Sequence, residues 1–418
     1  MKKYHFIMVS LALIVSTSSC QDEDNKDVKR QTEDQGVVIA TPYLWKSSLH
    51  QQYPMSNSYI KNPIIYNQNI VIPITNGDSS RSLSLIETIN GKTIWIWNDI
   101  YDEFYIDIFS HYQYQNLVTY QKGPRSYCIN LDDGSTEWRI WRDRAFDPRI
   151  DSYGQYYFTI AGITNSDGYD EYIAFKGDIR TGILSEYLTA HYTYDCFDCV
   201  RAILYLTQVP NQENLLLVTY AENLPDWITQ PFYGLYNTDT KEWLWDRVLV
   251  KEPSNPNFIQ HSPIIVNNKV YTAIINSLVC HDITTGKQLW KRDFKGDFMF
   301  TGIIVEDGKV IGNCEDCNAY CLDAETGRQL WSVRTAGTSS RMSYLNGVVY
   351  MVGGSVPRLF AIDVATGQLL WKIDAGLLGE GYCAGFRVNA VYCLPAKDDQ
   401  PAKVIALSNL YAYCFEAI

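Results

Sequence analysis

The chain has 418 residues, 46% of them hydrophobic and 14% aromatic, and a net charge of −12. That apolar content supports a large packed core and excludes a wholly disordered chain. The acidic balance excludes nucleic acid as a natural partner, because a phosphate backbone would be repelled.

In chain order, residues 1–19 read as a targeting segment. Lys2 and Lys3 precede an apolar run from Phe6 to Val15, too short to span a bilayer, and Thr17, Ser18 and Ser19 lead to Cys20. The layout resembles a bacterial lipoprotein signal, and that resemblance implies cleavage before Cys20 and a lipid on its sulfur. Loss of Lys2 and Lys3 with the signal takes the net charge from −12 to −14. Residues 20–40 are expected to be the lipid anchor and a disordered acidic tether. Between Gln21 and Gln35 the one apolar residue is Val28, set among Asp22, Glu23, Asp24, Asp27, Glu33 and Asp34, so nothing there can form a core. An acidic cluster behind such a cysteine also resembles the export tag of Bacteroidetes surface lipoproteins. The protein is thus expected at the outer membrane, on its periplasmic or cell-surface face.

Residues 41–418 are built from a repeat. Three copies are plain: Asp282, Gly286 and Trp290, then Asp323, Gly327 and Trp331, then Asp363, Gly367 and Trp371, with Thr285, Thr326 or Thr366 before each glycine. The acid folds back onto backbone N–H groups, the glycine reverses the chain, and the indole begins burial on the far side. The four-and-four spacing recurs at Glu87, Gly91 and Trp95, at Asn130, Gly134 and Trp138, and at Asn237 and Trp245 with Lys241 in the glycine place. A degenerate copy keeps Asp178 and Gly182 but has Tyr187 near the tryptophan place. Upstream of these turns, stretches such as Pro63 to Val71 and Pro263 to Tyr271 read as hairpins. Two hairpins per repeat of roughly 40–50 residues make a propeller blade. Tyr413 to Ala417 matches Tyr320 to Ala324 and then stops, while Trp45 stands in an outer strand with no blade of its own. The expected fold is all-β: an eight-bladed propeller of four-stranded antiparallel blades, closed by the N-terminal strand. Trp45, Trp95, Trp138, Trp245, Trp290, Trp331 and Trp371 are the expected blade-docking residues.

Ten cysteines follow Cys20. Cys128, Cys280, Cys321 and Cys414 hold one register position and read as small buried strand residues. Cys314 and Cys317 bracket an expected two-residue hairpin turn, and Cys196 and Cys199 lie before blade 4; each pair is an expected local disulfide in an oxidising compartment. A zinc site would require the two pairs to meet across the ring, so no metal is expected. Neither pair precedes a histidine, which excludes c-type haem attachment. The histidines are scattered, no nucleophile elbow is present, and Gly379 to Ala384 leads into a strand instead of the helix a dinucleotide site needs.

The Ala/Cys-x-Asp-x-x-Thr-Gly-x-x-x-Trp pattern resembles the repeat of the pyrroloquinoline quinone (PQQ) dehydrogenases and their non-enzymatic relatives. Enzymes of that family carry a disulfide between adjacent cysteines against the quinone, and no two cysteines are adjacent here. No cofactor is expected. In architecture the chain is similar to the BamB lipoprotein family, whose members are lipid-anchored eight-bladed adaptors of outer-membrane barrel assembly. That likeness implies a non-enzymatic scaffold binding another cell-envelope protein, with the membrane touched through the lipid anchor alone. The alternatives are a surface glycan-binding lipoprotein, suggested by 31 tyrosines, and a PQQ-dependent dehydrogenase. Residues with hot-spot chemistry in connecting segments are the candidate partner contacts: Asp99, Tyr101 and Asp102 after blade 1, Arg139 and Trp141 at the end of blade 2, and Phe197 and Trp227 around blade 4.

Overall fold

The computed structural model describes residues 37–38, 43–49, 64–75, 81–99, 111–122, 124–142, 152–164, 170–190, 201–224, 228–251, 261–298, 302–337, 342–354, 358–378, 385–408 and 410–418. The chain divides into Met1–Glu33 and Asp34–Ile418, and the described residues all lie in the second unit.

The strands form eight sheets, each built on a four-stranded antiparallel meander that is laid down in chain order in seven of them, which is the blade of a propeller. Blades 1 to 7 occupy residues 64–97, 111–141, 152–190, 201–249, 264–293, 304–334 and 343–374. Blade 8 takes three strands from residues 386–416 and its outer strand from Trp45–Ser48, paired from Trp45↔Cys414 to Ser48↔Tyr411. The ring therefore closes as the unpaired tryptophan near the chain start requires. An addition not foreseen is Val37–Val38, within the stretch expected to be tether. It forms a fifth strand on blade 7, parallel to Leu369–Asp374 with Val37 opposite Trp371.

Local chemistry explains the hairpins. Asn67-Gln68, Asn267-Asn268 and Asn346-Gly347 all hold positive φ at both turn positions, as two-residue hairpin turns demand. In the repeat turns, the Asp282, Asp323 and Asp363 carboxylates each accept the backbone N–H and the hydroxyl of the threonine three residues on, at 2.6–2.8 Å. Those bonds hold the Asp323 and Asp363 carboxyls below the usual range. Gly286, Gly327 and Gly367 then take φ between 67° and 75°.

Cys314 is the point at which the hairpin reading fails. The pairing Asn313↔Ala319 and the Cys314 N–H to Asn318 bond oppose Cys314 to Asn318, so the connection has three residues, with Cys317 at φ 69° in its last place. The two cysteines do not face each other across strands, and Cys314 is a buried thiol instead of half a disulfide. Cys196 and Cys199 lie outside the described residues.

The two faces of the ring differ. One carries the repeat turns and, in most blades, a two-residue turn between the first and second strands. At the other face each described outer strand ends and the first strand of the next blade begins, as at Trp97 and His111, Trp141 and Ser152, Ala190 and Arg201, and Leu249 and Ile264. That face also carries the turns between second and third strands. In blade 4 those two strands have ten residues each, and in blade 3 nine each, against five to seven elsewhere. Their third strands end at Asp178 and Asn237, directly on the repeat turn as in the other blades, so all the extra length rises on the loop face. Four extra residues raise it by about 13 Å.

Candidate functional site

Each outer-strand tryptophan acts on the following blade. The indole N–H of Trp45, Trp95, Trp138, Trp245, Trp290 and Trp331 donates to the carbonyl of Thr88, Leu131, Ile179, Ile283, Ala324 and Val364, at 2.8–3.1 Å. Every acceptor stands one place after the acidic or Asn residue of the next repeat turn. The ring then lies on that turn's glycine: a Cβ on Gly91, Gly134, Gly327 or Gly367 would stand 2.6–2.7 Å from the indole. The glycine thus serves twice, for its left-handed backbone and for its bare surface. Behind the ring, Cys128, Cys280, Cys321 and Cys414 pair directly across strands with Trp138, Trp290, Trp331 and Trp45. They are small enough to admit the indole, and burial pushes their thiols up to about 12, far from reactivity. Trp371 is buried against blade 8 and against Tyr350.

Blades 3 and 4 break this pattern together. Blade 3 offers Tyr187 instead of tryptophan, its outer strand carrying a bulge between the partners of Ala174 and Phe175. Blade 4 offers Lys241, at φ 59°, in place of glycine. With no indole to receive, the bare surface is not needed. Tyr187 packs on Phe158, and its hydroxyl lies near the side chain of Thr238, one place after Asn237, which is the spot the indoles reach elsewhere.

The predicted partner contacts divide. Asp99 and Arg139 meet at the rim between blades 1 and 2, and Trp141 stands two residues beyond Arg139 at the end of the same strand. Arg139 bonds one Asp99 oxygen at 3.0 Å, and Thr136, which itself accepts the Trp97 indole N–H, donates to the other at 2.7 Å. The ion pair is half-exposed and contributes at most about 1 kcal/mol. Trp141 is 67% exposed, with the Arg125 guanidinium 4.4 Å from its ring. Arg142 turns inward and joins blades 2 and 3 through the Gly182 carbonyl, 2.8 Å away. Tyr101, Asp102, Phe197 and Trp227 lie outside the described residues.

Blade 4 holds a polar cluster that the sequence reading missed. Glu222 is buried, and Arg247 reaches it at 2.7 Å while lying over the Phe232 ring. Arg247 has φ 57° in a bulge of the outer strand, and its N–H donates to the Tyr220 hydroxyl, which donates to Asp246 at 2.5 Å. The available signal was an acid closing the apolar run Leu215 to Ala221. Among the described residues no group of three or more His, Cys, Asp or Glu is placed to hold a metal.

Blades, indole contacts and repeat turns define the class: this is an eight-bladed β-propeller. Within that class it resembles BamB. The profile of the family described as outer membrane protein assembly factor BamB matches residues 235–377, from within blade 4 to just past blade 7. The quinohemoprotein alcohol dehydrogenase ADH-IIG of Pseudomonas putida is 27% identical over 137 residues, which cover 27% of this chain and 19% of that protein. The chain therefore matches about a fifth of that relative's length. Among solved structures, BamB of Moraxella catarrhalis superposes with a TM-score of 0.51 at 13% identity, over 85% of this chain and 96% of that one. The designed protein Ika8 gives 0.58 at 13% identity, over 90% and 99%, and Sqt1 of Saccharomyces cerevisiae gives 0.60 at 10%, over 91% and 100%. At such identities these likenesses establish the fold alone.

Proposed function

We propose that the protein is a non-catalytic, lipid-anchored scaffold at the outer membrane that binds another cell-envelope protein through the loop face of its propeller. The observation that carries this reading is the inequality of the two faces. Among the described residues, one carries mostly short self-bonded turns, while the other carries the strand ends that lead into the connections between blades, the lengthened strands of blades 3 and 4, and the exposed Trp141. A rigid ring that spends its length on one face suits recognition, which needs many presented side chains and no catalytic group. The BamB likeness supports a protein partner and an outer-membrane lipoprotein, with Cys20 as the lipidated residue. The test is photo-crosslinking in intact cells from Trp141 on the loop face and from Asp239 on the turn face. Capture of one envelope protein from position 141 and not from 239 is the expected result. Equal capture from both, or capture only from 239, sinks the reading.

A further inference from the structure

We infer that the backbone direction at the start of the propeller favours one face meeting the membrane: the short-turn face toward it and the loop face away. The inference rests on the anchored reading above, with the lipid on Cys20.

Two strand pairings carry it independently. Trp45–Ser48 runs antiparallel to Tyr411–Glu416. The third strand of each blade descends to the short turns, so Trp45 lies at that end and the chain arrives there from the short-turn side. Val37–Val38 runs parallel to Leu369–Asp374, which starts from the repeat turn of Asp363 to Gly367. The chain therefore also comes to Val37 from the short-turn side.

Length turns direction into orientation. Sixteen residues, Gln21 to Gly36, separate Cys20 from Val37. Sixteen residues reach at most about 55 Å fully extended, and a random coil of that length averages about 20–25 Å. The rim is itself about 20 Å high, from six-residue outer strands at roughly 3.3 Å per residue. With the loop face against the bilayer, the chain would have to retrace the whole rim before reaching lipid. With the short turns toward the bilayer it retraces nothing. The raised hairpins of blades 3 and 4 and the indole of Trp141 then point into the aqueous compartment. The partner surface they fit is a water-soluble domain of an envelope protein, set back from the lipid headgroups.

The test uses the full lipidated chain, purified from membranes and reconstituted with phosphatidylethanolamine and phosphatidylglycerol vesicles that carry an acceptor dye on the headgroup. A donor fluorophore is placed by an unnatural amino acid at Asp239 on the turn face or at Asn98 at the loop end of blade 1. Energy transfer from position 239 should be at least about twofold stronger than from 98. A 30-residue Gly/Ser linker inserted between Gln35 and Gly36 should bring the two toward equality. Equal or inverted transfer from a vesicle-bound chain overturns the orientation while leaving the anchor standing. A difference untouched by the linker overturns the tether as its cause. If the chain binds vesicles no better than Cys20→Ser, the anchored reading fails and takes this inference with it.

Discussion

Gly327 shows how much a single position can be asked to do. Its φ of 67° costs a side chain about 1 kcal/mol, and an added methyl would stand 2.6 Å from the Trp290 indole. Gly327→Ala should therefore cost about 2–4 kcal/mol in urea unfolding. Gly154→Ala, at φ 56° with open space around it, should cost only about 1 kcal/mol. Equal losses would show that the indole contact contributes nothing. His281 makes a second prediction. It stands where Leu322 and Ile362 stand in the next two copies, is 1% exposed, and meets the Tyr233 ring of blade 4 edge-on at 5.3 Å. Burial pushes its pKa down to about 4. An unfolded chain protonates this group near pH 6.5 and the folded chain only near 4, so the stability is present above about 6.5 and is lost as pH falls toward 4. The loss amounts to about 3 kcal/mol. Between pH 7 and 4.5 the urea midpoint should fall further in the wild type than in His281→Leu.

The blade interface is the element on which the fold turns, and it was half legible in the sequence. Aspartate, threonine, glycine and tryptophan at fixed spacing each have a local cause, so the turn, the strand and the blade count could be read in one dimension. What the tryptophan does could not, because its partner glycine lies one repeat later. For the same reason the loss of tryptophan in blade 3 and of glycine at Lys241 in blade 4 read as two unrelated blemishes, when they are one. Cys314 and Cys317 misled because a two-residue turn was assumed where the register has three. Asp99 and Arg139 read as separate contacts in one dimension because strand direction does not reveal that they pair with each other. The latch itself is testable. Trp331→Phe removes a 2.9 Å bond to the Val364 carbonyl and part of the buried ring, and should cost about 2–3 kcal/mol. Tyr187→Phe removes only a hydroxyl contact and should cost under about 1.5 kcal/mol. Denaturant midpoints of the two variants decide whether the blade 3 to blade 4 junction is the weaker seam.

For the ring as a whole, closure matters more than any one blade. Without Trp45–Ser48, blade 8 would present the bare edge of Tyr411–Glu416, and the core around Trp45, Ile70 and Ile405 would open to water. A chain lacking residues 43–49 should lose its single cooperative thermal transition and elute as aggregate on size exclusion. A monomer with one sharp transition would show that the ring holds without its clasp. Substituting Trp141 should leave that transition unmoved, since its ring is mostly in water.

The clasp joins residues near opposite ends of the chain, Trp45 with Cys414, and this sets a timetable. As the polypeptide is made, its first outer strand exists long before the strand that will hold it, and blade 8 stays incomplete until Tyr411–Glu416 has appeared. Contacts so distant in sequence form late and slowly. Until then the chain carries an exposed strand edge at each end, and handling that keeps such edges apart becomes part of what the protein needs in order to fold.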